Sequence, residues 1–345
     1  MSRIVTKVAA VAAVLAAATL LPASPVSSQD TGPTTGYTLI IDQQAEGCRL
    51  ATIDLTTAAV AALPAAATSV ACVNDLAVAP DGTVWGIAGS RLLDGDPGDL
   101  ILGFTPQAES PLALVAFDPT TGAVADTVTI DIPGDDGDAF LPEGGLAITP
   151  DGTVWALFAA EACDDGNQNC LWTIDPATGA ASLVGNTDTF ELEMFGLAAC
   201  TAGVVTLLPT EINQEASTPA FFPSPDVGFL DPATGALTEG PAVADTVVGY
   251  DCSGASGWAL TGEGRPNRPD ASVAQAVDAV LTTFDPATGT LTDIGAVTPS
   301  DADVVLLAVP PTSVPAPTTT TTTTAAAPAT TAAAQPAMVT PRFTG

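Results

Sequence analysis

Five times along this chain a short β-forming run ends in an aspartate-headed turn, and the spacing of those turns restricts the fold more than any other feature. The turn reads Asp118-Pro119-Thr120-Thr121-Gly122, Asp175-Pro176-Ala177-Thr178-Gly179, Asp231-Pro232-Ala233-Thr234-Gly235 and Asp285-Pro286-Ala287-Thr288-Gly289, with a worn copy at Asp54-Leu55-Thr56-Thr57-Ala58. Successive copies lie 54 to 64 residues apart, at or slightly above the period of a propeller blade. Each position has a physical job. The aspartate bonds backbone amides two or three residues on, proline presets φ, and glycine supplies the left-handed residue that rejoins the strand.

A second phrase alternates with the first. It reads Leu76-Ala77-Val78-Ala79-Pro80-Asp81-Gly82-Thr83-Val84-Trp85 and again Leu146-Ala147-Ile148-Thr149-Pro150-Asp151-Gly152-Thr153-Val154-Trp155, with weaker versions at 197–205 and 250–258. Asp-Gly between two apolar runs is a strong hairpin signal. Each repeat therefore holds two hairpins, or four strands A to D, typified by Leu146–Thr149, Thr153–Phe158, Cys170–Ile174 and Ala180–Val184. Four-stranded units that cannot bury both faces alone stack radially. The first unit starts at strand B (Thr38–Ile41) and lacks strand A, whereas Val304–Val309 stands alone at the other end. The expected fold is thus an all-β, five-bladed β-propeller over about 37–310, with a C-terminal strand at about 303–309 closing blade one.

These phrases resemble the repeats of secreted bacterial β-propellers of the NHL and YVTN types, over nearly all of Tyr37 to Val309. The resemblance implies the fold and leaves activity open, because such propellers include adhesins, binding platforms and enzymes. The fourth and fifth repeats depart from it in lacking Pro-Asp-Gly between strands A and B.

The two ends read differently from the middle. Arg3 and Lys7, an apolar run from Val8 to Leu21, and small residues through Ser28 follow the plan of an export signal. Residues 1–28 are therefore expected to be a signal peptide, with a retained anchor as the alternative, and 29–36 a short linker. The mature chain is expected to be secreted or associated with the cell surface, without membrane insertion. Residues 311–345 are almost all Thr, Ala and Pro, with an unbroken run from Thr318 to Thr324, which is the composition of an extended, O-glycosylated stalk or a disordered tail. The closing Pro341-Arg342-Phe343-Thr344-Gly345 faintly resembles a sortase signal but has an extra residue and lacks its leucine.

Charge and composition narrow the chemistry. The formal net charge is -32, and without the leader the cations are Arg49, Arg91, Arg265, Arg268 and Arg342. Such a surface repels phosphate backbones, so no nucleic-acid partner is expected. Histidine is absent, which removes Ser-His-Asp and Cys-His catalysis and every histidine-ligated metal. Without lysine in the mature chain there is no Schiff-base nucleophile either. Carboxylates, hydroxyls and oxygen-held hard cations remain.

In a propeller the A-B and C-D turns share one face and the B-C and D-A loops the other. Here the first set is short and formulaic. The second set, at 90–110, 131–142, 161–169, 208–224 and 262–277, is long, irregular and acidic, and is where function is expected. Six cysteines in an exported chain favour disulfides. The strand map pairs Cys48 with Cys72, Cys163 with Cys170 and Cys200 with Cys252, each pair on one face. Arg265 and Arg268 are the clustered cations, read as rim ion pairs before an anion site.

Two chemistries fit the remaining groups. Asp94–Asp99, Asp131–Asp138 and Asp164–Asn169 put oxygen donors at short intervals; the middle segment, with Asp131, Asp135, Asp136 and Asp138, is the best candidate for a structural calcium ion. No other cofactor is expected. Alternatively, a glycosidase-like carboxylate pair at the channel mouth would draw on Asp75, Glu143, Glu193, Asp251 and Asp303 near the starts of A strands. Against it, Gly145, Gly196 and Gly249 occupy the positions equivalent to Asp75, so the inner rim is expected to be open and small. Trp85, Trp155 and Trp258 recur at one B-strand position and are expected to pack between blades. The favoured reading is a non-enzymatic propeller presenting its long-loop face to a protein or glycan; the alternative is a propeller glycoside hydrolase.

Overall fold

The structure is a computed structural model, and it describes residues 32–42, 47–65, 73–90, 110–134, 140–160, 162–163, 168–190, 195–201, 203–208, 225–262, 279–299 and 304–312. Met1–Thr312 forms one compact unit and Ser313–Gly345 a second; all described residues belong to the first.

The described residues are all-β. In chain order the strands are β1 (Thr35–Asp42), β2 (Gly47–Asp54), β3 (Val60–Ala62), β4 (Asp75–Val78), β5 (Val84–Ser90), β6 (Ser110–Phe117), β7 (Val124–Thr129), β8 (Phe140–Ile148), β9 (Val154–Ala159) and β10 (Gln168–Ile174). They continue as β11 (Ala181–Phe190), β12 (Phe195–Cys200), β13 (Gly203–Leu208), β14 (Asp226–Leu230), β15 (Leu237–Ala242), β16 (Val247–Ser253), β17 (Ser256–Thr261), β18 (Val280–Asp285), β19 (Thr290–Ala296) and β20 (Val304–Ala308). They form five four-stranded antiparallel sheets, each a simple meander except the first, whose order is β20-β1-β2-β3. The protein is a five-bladed β-propeller, and its ring is closed by the C-terminal strand. Tyr37 lies opposite Ala308 and Ile40 opposite Val304, so strand A of blade one comes from the far end of the chain, as the lone terminal run implied.

Each seam between blades has its own apolar cluster. Leu39, Leu76 and Phe117 join blades one and two; Leu114, Leu146 and Phe158 join two and three; Leu157, Leu197 and Leu230 join three and four; Val205, Tyr250 and Phe284 join four and five; Ile53, Leu281 and Leu307 join five to one. Fully burying such a side chain is worth about 1.5–3 kcal/mol, so the seams, rather than any single blade, hold the ring. Tyr37, Trp85, Trp155 and Trp258 pack into four of these clusters from the same B-strand position. That is the packing role expected of the tryptophans.

The aspartate-headed turns sit between strands C and D of every blade. Asp118 accepts the Thr120 and Thr121 amides at 2.8 and 2.9 Å, and Asp54 accepts the Thr56 and Thr57 amides at 2.8 and 3.0 Å. Asp175, Asp231 and Asp285 each accept the amide two residues on. The turns also do something that local chemistry does not announce: each one docks against the outer strand of the preceding blade or the residues just after it. The Ala65 amide donates to Thr121 O at 2.7 Å, the Asp131 amide to Gly179 O at 2.8 Å, and the Thr298 amide to Ala58 O at 3.1 Å. At Gly179 (φ 76°) a Cβ would collide with the Thr129 carbonyl oxygen of the blade before. Glycine is needed there for the close approach as much as for the turn.

The A-B hairpins differ in detail from a two-residue Asp-Gly loop. Gly82 N donates to Ala79 O, and Ala79 N donates to Thr83 O, both at 2.9 Å. Pro80-Asp81-Gly82 is therefore a three-residue loop, a type I turn followed by a left-handed glycine at φ 89°. Proline presets the turn, and Asp81 accepts the Thr83 amide at 2.9 Å.

Candidate functional site at the ring centre

Strands β20, β4, β8, β12 and β16 line the axis, each against its neighbours. Their side chains alternate between the two seams that flank each blade, Leu76 and Val78 toward blade one and Ala77 toward blade three. Asp75 and Asp251 point to the side of the following blade, where they meet its backbone. Asp75 begins β4 and is 4% exposed; Asp251 lies within β16 and is 7% exposed. The side chain of Glu143, and Glu193 and Asp303 altogether, lie outside the described residues.

Asp75 is surrounded by amides. Its Oδ1 accepts the Leu76 amide at 2.8 Å, while Oδ2 accepts the Leu146 amide of blade three at 2.8 Å and the Leu197 amide of blade four at 2.9 Å. One carboxylate thus joins three blades. Burial raises it from its ordinary value of 3.8 to about 7, even against the three amide donors that favour its charge.

Asp251 repeats the device across the closure. Its Oδ1 accepts the Cys252 amide at 2.7 Å and its Oδ2 the Val309 amide at 2.6 Å. Burial again raises it well above the ordinary carboxylate range, opposed by the Val309 and Cys252 amides and reinforced by the Asp75 charge. Tyr250 lies beside the same group. It is buried, its hydroxyl donates to Val205 O at 3.1 Å, and its ring meets Phe284 edge-on with centroids 6.0 Å apart. Burial first, then the Asp75 charge, push its phenol well above the ordinary value.

The glycines expected to leave the rim open instead let the inner strands meet. A Cβ on Gly145 would come within 2.6 Å of Leu197 Cγ, and one on Gly249 within 2.6 Å of the Leu306 carbonyl carbon. Backbone occupies the space that larger side chains would have taken. Chemically, the arrangement binds amides, and neither described acid faces bulk water.

Of the calcium candidates, Asp131 is exposed and joins blade two to the Gly179 turn through its backbone. Asp135, Asp136 and Asp138 lie outside the described residues, as do Asp94–Asp99, Asp164, Asp165, Arg265 and Arg268. Among the described residues no three His, Cys, Asp or Glu side chains gather closely enough to hold a metal. Disulfides join Cys163 to Cys170 across the β9–β10 connection and Cys200 to Cys252 at the A-B corners of blades four and five, the pairings expected from the strand map. Cys48 is also disulfide-bonded, and its expected partner Cys72 lies outside the described residues. Such bonds fit an oxidising compartment.

One surface feature was not anticipated. On the turn face of blade five, a shallow groove of about 350 Å³ is lined by Trp258, Thr283, Asp285, Thr288 and Thr292 among others. Two of its hydroxyls are already engaged: Thr288 Oγ1 donates to Asp285 Oδ2 at 2.8 Å, and Thr283 Oγ1 to Thr292 O at 3.4 Å.

No protein-family model and no curated protein matches the chain. Among solved structures, one named "putative 6-phosphogluconolactonase" from Bacteroides uniformis is 13% identical with a TM-score of 0.36, covering 76% of this chain and 82% of its own. Another of that name from Bacteroides fragilis is 15% identical at a TM-score of 0.35, covering 78% and 83%. A protein of unknown function from Dyadobacter fermentans is 10% identical at 0.39, covering 77% and 84%. Likeness at this level says nothing of activity, and the blade count rests on the sheet topology of this chain.

Proposed function

We propose that this protein is an exported, non-enzymatic β-propeller that presents its B-C/D-A loop face to a protein or glycan at or near the cell surface. The observation that carries the reading is the state of the central acids. A hydrolytic pair needs carboxylates open to substrate and water, whereas Asp75 and Asp251 are buried and engage both oxygens with backbone amides, Oδ1 within the same strand and Oδ2 in other blades. Supporting it, the C-D turns are used up in holding neighbouring blades, which leaves recognition to the long loops. The repeats are read as NHL/YVTN-like, 1–28 as the export leader and 311–345 as a stalk. Calcium in the 131–138 segment would be structural.

The hydrolase reading has one observation in its favour: a carboxyl held near pH 7 is what a general acid requires. A single experiment separates the two. The full exported chain is screened on a glycan array and a panel of purified extracellular proteins, with calcium and with chelator, and in parallel on polysaccharides for release of reducing ends. Retained ligand that is lost when residues 91–109 are replaced by a short linker supports the binder. Sugar release that disappears in Asp75→Asn overturns it.

A further inference from the structure

We propose that Asp251-Cys252-Ser253 forms a clasp that lets β20 resist tension, held in shear when force reaches the ring through the C-terminal segment. The proposal rests on reading 311–345 as a stalk. Three consecutive residues at the end of β16 tie down what closes the ring: Asp251 accepts the Val309 amide at 2.6 Å, and Ser253 Oγ donates to Pro310 O at 2.7 Å. Cys252, between them, is disulfide-bonded to Cys200 of blade four. The Thr201 amide donates to Gly254 O at 2.8 Å, which anchors the same corner a second time. From the other side, Thr38 Oγ1 donates to Leu306 O at 2.8 Å.

Topology sets the direction of load. β1 begins at Thr35, opposite Asp54 at the head of a C-D turn, so it enters from the turn face. β20 is antiparallel to β1, with Ala308 opposite Tyr37, so it leaves by that same face. The described chain therefore both enters and leaves the ring on the turn face. Pull Thr312 away while the loop face is held, and β20 is dragged along its own axis. Its ladder to β1, the Asp251 and Ser253 bonds and the Thr38 bond are then loaded together. Pull the two chain ends apart instead, and the β1–β20 pair opens from its Tyr37–Ala308 end, one bond at a time.

The test is single-molecule force spectroscopy on the full chain with a handle after Gly345. The second handle is a peptide tag inserted after Gly262, at the loop-face end of β17, or alternatively a tag before Gly32. Forced rupture reads the unfolding barrier. The expected result is a high-force event in the Gly262 geometry that is missing in the Gly32 geometry, and that is lost in Asp251→Ala and weakened in Ser253→Ala. Asp75→Ala, which removes hydrogen bonds to Leu76, Leu146 and Leu197 but none of the clasp bonds to Val309 and Pro310, should keep the difference between geometries. Equal forces in the two geometries, or a high-force event untouched by both clasp variants, would overturn the proposal. So would an equal loss in Asp75→Ala. No ligand takes part, so failure here leaves the binding reading standing, and a failed ligand screen leaves this one.

Discussion

The Asp75 carboxylate of blade two accepts the Leu197 amide of blade four at 2.9 Å, across 122 positions of sequence. With Leu146 and Leu76 it holds three amides at the axis. A buried amide left without its partner costs about 1–3 kcal/mol, so Asp75→Ala should lose about 3 kcal/mol or more of stability in urea titration. Asp75→Asn keeps an acceptor for some of the amides but turns an NH2 group toward another, and should lose less. A variant no less stable than the parent would show that these bonds contribute little.

The same residue predicts a pH dependence with an unusual sign. Its folded value of about 7 lies above the ordinary 3.8, so the folded state holds a proton that the unfolded state releases. Its contribution is fully present below about pH 4 and is lost as pH rises to about 7, a change of about 4 kcal/mol. Asp251, also raised, adds in the same direction. The turn aspartates Asp54, Asp118 and Asp175 are lowered, chiefly by hydrogen bonds from their own turns, and their contribution disappears only as pH falls below the ordinary carboxylate value. Thermal midpoints should therefore peak in mild acid and decline toward pH 7, and Asp75→Asn should flatten much of the decline. A midpoint that climbs steadily from pH 5 to pH 8 would contradict this assignment.

The blades, their turns and the closing strand were legible because the signals are local. Asp118 finds its partners at Thr120 and Thr121, and turn chemistry of that range is written in consecutive letters. The two described disulfides followed once the strands were in place, Cys163 and Cys170 bracketing one B-C connection and Cys200 and Cys252 occupying matching corners. The centre was not legible in the same way. Gly145 and Gly249 read as a rim without side chains, and only the packed ring shows backbone filling the gap. Likewise, Asp75 and Asp251 read as candidates for a channel-mouth carboxylate pair because their partners, Leu146, Leu197 and Val309, are backbone amides set 58 to 122 positions away. An amide leaves no mark in the sequence, so an acid that binds amides looks the same as one waiting for substrate.

The docking of each C-D turn on the preceding blade predicts a contrast between two glycines of similar backbone. Gly152, at φ 87°, has open space where a Cβ would go, whereas at Gly179, φ 76°, the Cβ would strike the Thr129 carbonyl oxygen. Alanine at either site pays the left-handed penalty of about 1–2 kcal/mol. Gly179→Ala should lose clearly more, because backbone of blade two must also move, and the Asp131 bridge to Ala180 should open with it. Urea midpoints of the two variants, with amide exchange at Asp131 and Ala181, measure both effects. Equal losses would mean that the turn is not held against its neighbour.

The two described disulfides should differ in worth because they close loops of different length. Cys163–Cys170 spans 7 residues and lies within blade three, whereas Cys200–Cys252 spans 52 and joins blade four to blade five beside the closing strand. By loop entropy the first is worth about 2 kcal/mol and the second about 4 kcal/mol. Loss of the longer bond also frees the β16 corner whose Asp251 and Ser253 hold Val309 and Pro310, so its effect should reach the ring closure itself. A Cys200→Ser, Cys252→Ser double variant should therefore show faster amide exchange at Val309 and a larger drop in stability than the Cys163→Ser, Cys170→Ser pair. If Val309 stays as protected as in the parent while stability falls, the disulfide stabilises the blades and not the closure.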